Sequence, residues 1–193
     1  MASLVLSGDT SGSVTLAAPA VAGSTTQTLV NVTGTLAPVV SGTAVASTSG
    51  TSIDFTGIPS WVKRITVMLS GVSTNGTSPI ICRIGSGGSV STSGYVGNRA
   101  TITNASSVSI IDVSTALHIS SSPTTTAQCA ATVVWLKVTE NTWVGTSSSR
   151  DAGTVTSTCN STLDLAGALD IVRVTTNNGT DTFDAGTINI LYE

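Results

Sequence analysis

The chain has 193 residues, of which 9% are charged and 4% aromatic, and its formal net charge at pH 7 is −3. Its seven basic residues are scattered apart from the adjacent pair Lys63-Arg64, so the sequence lacks the clustered cations that bind nucleic acid or anionic membranes. A chain of this length can bury one good core. Such a weakly charged surface favours a protein that is covered by copies of itself or by a larger assembly.

Residues 1–50 differ from the rest of the chain. They contain one charged residue, Asp9, and no aromatic residue, and the run 15–25 is weakly repeated at 35–43. Each copy is a short β-prone run broken by Pro and then Gly, too small to bury a face alone. Two interpretations remain open: a flexible Ser/Thr/Gly linker, or an extended arm that is ordered by a neighbouring subunit or platform. The Leu and Val content favours the arm.

The chain shows no targeting signal. Its first residues have neither a basic region nor a sustained apolar run, so we expect no signal peptide. No window approaches the length of a transmembrane segment. Synthesis in a reducing cytoplasm is therefore expected.

From residue 51 onward, strand patterns recur between connections rich in Gly, Ser and Asn. No stretch of ten or more residues has a helical apolar period with caps, and Ser161–Leu169 comes nearest. This pattern predicts an antiparallel β-sandwich, jelly-roll-like, over residues 51–193. The predicted strands contain Ile53–Phe55, Arg64–Leu69, Ile80–Ile84, Val108–Val113, Thr132–Val138, Thr142–Ser147, Val155–Thr158, Leu169–Thr176 and Thr187–Tyr192.

The sequence offers little for nucleophilic or zinc chemistry. Cys82, Cys129 and Cys159 are an odd set without CxxC spacing, so buried or half-buried free thiols are expected rather than disulfides or a zinc site. The sequence has a single histidine, His118, and no Gly-x-Ser-x-Gly motif that would supply a nucleophilic serine before a helix. A packed or interface histidine is therefore favoured over a catalytic triad. A metal site formed by three copies of His118 on a trimer axis is a smaller alternative.

Asp181 and Asp184 are the only close pair of carboxylates. Glycoside cleavage needs two carboxylates about 5–10 Å apart, and with the other acids solitary we expect no enzyme. Together with Asn177 and Asn178 the loop could hold calcium, although it lacks the ligand spacing of an EF-hand. Side chains that bond back to local amides are the favoured interpretation. No residue pattern indicates a cofactor.

Four aromatic residues, Trp61, Tyr95, Trp143 and Phe183, are candidates for faces on which a sugar could stack, the first three of them as exposed rings. Trp61 follows Pro59 in a predicted turn, so we expect it to be at least partly exposed. Trp135 lies in the middle of a predicted strand and is expected in the core. Packing is favoured over ligand binding for each of these side chains unless they cluster in space.

Several segments resemble a known class of protein. Residues 50–59 (GTSIDFTGIP), the strand 63–69 and the ending 172–193 resemble tail-fibre and other virion appendage proteins of tailed bacteriophages, and residues 15–23 are similar to their leader segments. The resemblance covers most of residues 42–193. It implies a non-enzymatic, trimeric protein that projects from the particle, and no functional residue carries over because the shared motifs are turns and strands.

The short length favours a capsid decoration protein of the cement or head-fibre type, with residues 1–50 as the anchor and 51–193 as the outward head. The alternative is a short tail fibre or receptor-binding protein that contacts the host surface. We expect it on the virion surface after synthesis in the host bacterial cytoplasm. Its expected partners are copies of itself, the major capsid protein or a tail component, and in the alternative a host-surface glycan. The candidate anchor contacts are Leu4, Val5, Leu6, Leu16, Val21, Leu29 and Val30.

Overall fold

The computed structural model describes residues 3–7, 10–17, 38–103, 107–121, 128–151 and 155–193. The chain divides into two units, Met1–Leu36 and Ala37–Glu193. All regular secondary structure in these described ranges is β-strand, and every strand pair is antiparallel.

The N-terminal unit contains a single described hairpin. Strands β1 (Ser3–Ser7) and β2 (Ser13–Ala17) pair antiparallel, with Leu4 opposite Leu16. Val5 and Leu6 are each 53% exposed. A two-stranded hairpin without a further layer is at best marginally stable in water.

The second unit, called the head below, has fourteen strands among its described residues. Their bounds are β3 (Val40–Ser41), β4 (Val45–Ala46), β5 (Ser52–Thr56), β6 (Arg64–Thr74), β7 (Ile80–Ser86), β8 (Ser89–Val90), β9 (Val96–Thr103), β10 (Ser107–Val113), β11 (Leu117–His118), β12 (Cys129–Lys137), β13 (Thr142–Arg150), β14 (Val155–Asp164), β15 (Leu169–Thr176) and β16 (Phe183–Tyr192).

These strands form two sheets that pack face to face. The larger has nine strands, in the order β10-β9-β14-β13-β12-β6-β16-β3, with β4 also paired to β16. The smaller has five, in the order β11-β7-β15-β5, with β8 paired to β7. The chain crosses repeatedly between them, and a single hydrophobic core joins side chains from both sheets. The predicted all-β sandwich is confirmed, and each of the nine predicted strands is present.

The core follows from alternation along the strands. In β6, Ile65, Val67 and Leu69 are buried, and each is separated from the next by one more accessible residue, because successive side chains of a strand point to opposite faces. Trp135 of β12 lies at the centre with no exposed surface. Its ring packs edge-on against the ring of Tyr95, with 6.3 Å between the centroids.

The head begins earlier in the chain than the sequence pattern predicted. Both β3 and β4 pair with β16, and the amide of Gly42 donates to the carbonyl of Ile190 at 2.7 Å. The Ser47 side chain is fully buried and donates to the carbonyl of Ala185 at 2.8 Å. The chain therefore divides after Leu36, not after residue 50.

Candidate interaction surface

The outer face of the nine-stranded sheet is directed away from the smaller sheet. Along β13 and β14, buried and exposed side chains alternate, and most of the exposed ones are Thr, Ser or Asn. By this alternation and the strand register, only Asp112, Arg150 and Asp164 carry charge outward from the five strands β9, β10, β12, β13 and β14. This surface is almost uncharged over most of its width.

One end of this outer face is apolar. Strands β9 and β10 pair over seven residue pairs without a bulge, which places Val108 opposite Ile102 and Ile110 opposite Ala100. Val108 and Ile110 are 65% and 67% exposed, and Ile102 is 45% exposed. We call these four residues the apolar patch. Because they are contiguous rather than scattered, they are typical of an interaction site.

Strand β10 also forms one edge of the nine-stranded sheet. Among the residues that the structure describes, nothing pairs with its outer flank. The strand contains neither Pro nor Lys, its only charged residue is Asp112, and β-bulges, Pro and Lys are the usual means by which proteins protect a sheet edge. At the opposite side of the sheet, by contrast, the short strands β3 and β4 cover β16.

Two shallow depressions lie on the same outer face. The larger has a volume of about 500 Å³, and the smaller, of about 200 Å³, lies beside Val96, Val144 and Asn160. In the described part of the chain, Arg150 at the larger depression forms no ion pair. Its guanidinium is therefore available to a solvent-borne anion. The lining of the larger depression is Met68, Leu69, Ala130, Ala131, Thr132, Ser148, Ser149, Arg150 and Thr156.

A buried polar cluster lies on the inner face of the nine-stranded sheet, beneath β9 and β13. Nη1 of Arg99 in β9 is 3.1 Å from Nδ1 of His118 and donates to the carbonyl of Ser120 at 3.2 Å. Since a guanidinium can only donate, Nδ1 of His118 accepts and the imidazole is neutral. Burial, followed by the charges of Arg99 and Arg83, lowers the pKa of His118 from 6.5 to about 4.

Asp151 completes this cluster. It is 2% exposed, and its Oδ2 accepts from the amide and the hydroxyl of Ser121, both at 2.8 Å.

Burial raises the pKa of the nearby Cys129 thiol to about 12, and the charge of Asp151 adds to the effect. Burial likewise raises the pKa of Cys159, and that of Cys82 to about 12. The thiols are therefore protonated at neutral pH, and a protonated thiol is a poor nucleophile.

The prediction of free cysteines is confirmed, since Cys82, Cys129 and Cys159 are all buried and unpaired. The expected position of His118 is also found, because it is 7% exposed and packed inside the sandwich. A ring in this position lies between the sheets rather than on the outer surface, where a three-fold axis between subunits would run.

The predicted exposed aromatic residues do not come together. Trp61 is 40% exposed and packs against Tyr192, with ring centroids 6.0 Å apart. The prediction of exposed rings at Tyr95 and Trp143 is wrong, since both are buried, and Phe183 is buried as well. The hydroxyl of Tyr95 accepts the amide of Ile84 at 2.9 Å, which satisfies its polar end in the core. Burial raises the pKa of this phenol.

The loop before the last strand is held by its own side chains and by hydrogen bonds to Ser73 and Ser78 of an earlier segment. Oδ1 of Asp181 accepts from Nδ2 of Asn178 at 2.6 Å, and its Oδ2 accepts from the amide of Ser78 at 3.0 Å. Asp184 accepts a hydrogen bond from the hydroxyl of Ser73. The predicted bonds to local amides are made by Asn178, whose Oδ1 accepts from the amides of Thr180 and Asp181 at 3.1 and 3.2 Å. The two carboxylates instead accept from the Asn178 side chain and from two serines of a distant segment.

The candidate anchor contacts fall in the N-terminal unit. Val5 and Leu6 are exposed on the hairpin, and Leu4 and Leu16 are cross-strand partners. Val21, Leu29 and Val30 lie outside the described residues. Their role as anchors stays a prediction.

Sequence reasoning missed the apolar patch. The consecutive pair Ile110-Ile111 was a usable signal, because adjacent residues in a strand point to opposite faces of the sheet, so the pair places an isoleucine on each face. Ile111 on the inner face is itself 39% exposed, so β10 extends beyond the cover of the smaller sheet.

Two negative findings apply to the described residues. No group of three or more His, Cys, Asp or Glu side chains there could hold a metal ion, and no helix among them is long and apolar enough to cross a membrane. Comparison with models of known protein families, with curated proteins and with solved structures finds no match.

Proposed function

We propose that this chain is a non-enzymatic structural protein of tailed-bacteriophage particles. In this proposal it is a homotrimeric capsid decoration protein of the cement or head-fibre type, held to the shell by its N-terminal unit. The observation that carries the proposal is the hairpin β1–β2, on which Val5 and Leu6 are each 53% exposed. The resemblance of residues 50–59, 63–69 and 172–193 to phage appendage proteins supports it.

The hairpin needs a surface to bind. Val5 and Leu6 are neighbours in β1, so they point to opposite faces, and both are half exposed. Burial of one such side chain against a partner contributes about 1.5–3 kcal/mol. In a trimer, three tethered hairpins would bind the same particle at a high effective concentration. Weak contacts of each hairpin would then add up to stable attachment.

The head is suited to a crowded outer surface. Its large outer face carries hydroxyl and amide side chains with few charges, so neighbouring copies can approach without strong repulsion. The apolar patch lies at one edge of this face, and a second group of exposed apolar side chains lies farther along it, where Leu136 and Val144 face each other across β12 and β13.

The location can be tested by the copy number of the chain relative to the major capsid protein in purified particles. Decoration predicts a ratio that is a sizeable fraction of one chain per capsid subunit. A ratio of a few per hundred would instead place the chain on the tail.

Sedimentation of the purified chain at several concentrations tests the trimer, and a monomer at all concentrations would contradict it.

Attachment can be tested with a double variant of the hairpin, Val5→Asp with Leu6→Asp. We expect it to lose particle binding while the head keeps its thermal unfolding midpoint, because charge would be placed on both faces of the anchor. Ser11→Asp in the exposed turn of the same hairpin is the matched control, and it should bind at full occupancy. Equal occupancy of the double variant and the control would refute the anchor.

A short tail fibre or receptor-binding protein is the second candidate. The depression beside Arg150, whose lining includes Thr132, Ser148 and Thr156 as well as apolar side chains, and the exposed ring of Trp61 favour it, because hydroxyls and a cation suit acidic sugars and a flat ring suits a sugar face. Binding of the purified chain to a panel of bacterial surface polysaccharides, lost in Arg150→Gln or Trp61→Ala, would support this function over decoration.

A further inference from the structure

We propose that β10 is a self-association edge, through which the heads of two copies pair about a two-fold axis. The two β10 strands would run antiparallel, and two nine-stranded sheets would become one continuous sheet. This inference needs only the head and does not depend on the proposed virion function.

The backbone of β10 provides the first argument. Its inner flank is paired to β9 along all seven residues without a register shift, so the hydrogen-bonding pattern of the strand is regular from end to end. Alternate residues on the outer flank present N–H and C=O groups that no described residue satisfies. An extended strand is the partner that satisfies such a row of groups. When two copies of β10 pair antiparallel, the outer flanks of both copies are satisfied at once.

The side chains provide the second argument. If the two-fold axis passes beside Ser109, Val108 of each copy lies opposite Ile110 of the other. If it passes beside Ile110, the two Ile110 side chains meet each other. Either register brings the two apolar patches together on one face, and brings Ile111 of each copy toward the junction on the other face. Such an interface uses the same surface on both subunits, as two-fold contacts require.

The charges identify the occupant as a second copy. A basic protein segment would find only Asp112 on β10, and nucleic acid would find no outward cation on β9 or β10, since Arg99 faces the interior. An apolar edge with a single carboxylate is matched by an apolar strand that likewise carries little charge. Strand β10 itself has that composition, and two copies of it would bring together only two carboxylates.

Disulfide trapping in the full-length chain tests the pairing. Single variants Ser109→Cys and Ile110→Cys place a thiol near the axis in either register, and the native cysteines are buried and do not compete. We expect at least one of the two to form a disulfide-linked dimer under mild oxidation at micromolar protein. Thr146→Cys, exposed in the middle of the same face, is the matched control and should stay uncrosslinked.

The native mass of the chain gives the second readout. We expect Ile110→Lys to halve the sedimentation mass of the wild-type chain, whether that change is dimer to monomer or hexamer to trimer, while Thr146→Lys leaves it unchanged. Both variants are exposed substitutions, so their thermal midpoints should match the wild type and exclude misfolding as the cause. An unchanged mass for Ile110→Lys, or crosslinking no faster at 109 and 110 than at 146, would overturn the inference. A failure of particle binding would leave these readouts unaffected.

Discussion

The neutral imidazole of His118 makes the stability of the head depend on pH. The ring is buried, its Nδ1 lies beside Arg99, and its pKa falls from 6.5 to about 4 on folding. Above pH 6.5 the ring is neutral in both states and stability is full. As the pH falls below 6.5 the unfolded chain takes up a proton that the folded chain refuses, so the folded state loses stability until about pH 4.

This linkage predicts a loss of about 2 kcal/mol in the free energy of unfolding between pH 7 and pH 5 from His118 alone. The variant His118→Asn keeps an acceptor near Arg99 and cannot titrate, so its decline over the same interval should be smaller by that amount. Urea unfolding of both proteins at the two pH values measures the difference. Parallel pH profiles would show that His118 is not the group responsible.

A second residue-scale prediction concerns Gly145, which lies directly opposite Trp135 in the neighbouring strand. A Cβ at Gly145 would lie 2.5–2.7 Å from three atoms of the buried indole ring, which is fixed by Tyr95 and by its hydrogen bond to Cys82 at 3.5 Å. Overpacking of this kind typically costs about 1–3 kcal/mol.

We therefore expect Gly145→Ala to lower the free energy of unfolding by about 2–3 kcal/mol. The matched control is Gly167→Ala, where the nearest atom to a new Cβ would be 3.8 Å away, and its effect should be within about 0.5 kcal/mol of zero. Equilibrium denaturation compares the two. A cost at Gly145 no larger than at Gly167 would mean that the indole ring can move.

Residue patterns foretold the burial of Trp135 but not that of Trp143. Along β13, the inward positions after Trp143 are Gly145, Ser147 and Ser149, so hydrophobic alternation gives no sign of which face is inside. The interior is polar and small here because the segment that carries His118 packs beneath it, where the hydroxyl of Ser147 donates to the His118 carbonyl at 2.6 Å. Only the three-dimensional arrangement shows this.

At the scale of elements, a cross-strand ion pair joins the outer strand of the smaller sheet to its neighbour. Asp54 in β5 lies directly opposite Arg173 in β15, and the guanidinium donates to both carboxylate oxygens at 2.6 Å. The hydrogen bond to Asp54 raises the pKa of Arg173. The side chain of Arg173 is 35% exposed and that of Asp54 is 30% exposed, so water screens much of their attraction.

We expect a coupling energy of only about 0.5–1 kcal/mol between Asp54 and Arg173. A double-mutant cycle with Asp54→Asn and Arg173→Gln, measured by urea denaturation at low salt and at 1 M salt, would give this value and its decrease with ionic strength. A coupling above about 2 kcal/mol would show that the pair is shielded from solvent more than its exposure indicates.

The sequence predicted most strands from apolar residues that alternate toward the core, and it predicted β10 from an apolar run of which Val108 and Ile110 point outward. Strand β9 was missed because its apolar residues, Val96 and Ile102, point outward, whereas its inward side chains include Arg99 and Thr101. The end of β14, in residues 161–164, was closest to a helical pattern yet continues the strand. Its register is set by nine cross-strand pairs to β13, a long-range constraint that local periodicity does not contain.

At the scale of the whole molecule, the division after Leu36 separates two deletions that the sequence alone would treat as equivalent. Deletion of residues 1–36 removes only the N-terminal unit, so the thermal midpoint of the head should stay within about 2 °C of the full chain. Deletion of residues 1–50 also removes β3, β4 and the buried Ser47. That second deletion exposes one flank of β16 and the buried side chains beneath it.

We expect the longer deletion to lower the thermal midpoint of the head by at least about 5 °C, because it removes the backbone bonds of Gly42 and Ser47 to β16 and opens an unprotected edge beside the core. Calorimetry of the two truncated proteins beside the full chain measures this difference. Equal midpoints would mean that residues 37–50 belong functionally to the arm. A low midpoint for both would mean that the N-terminal unit stabilises the head, and attachment could then not be lost without loss of the fold.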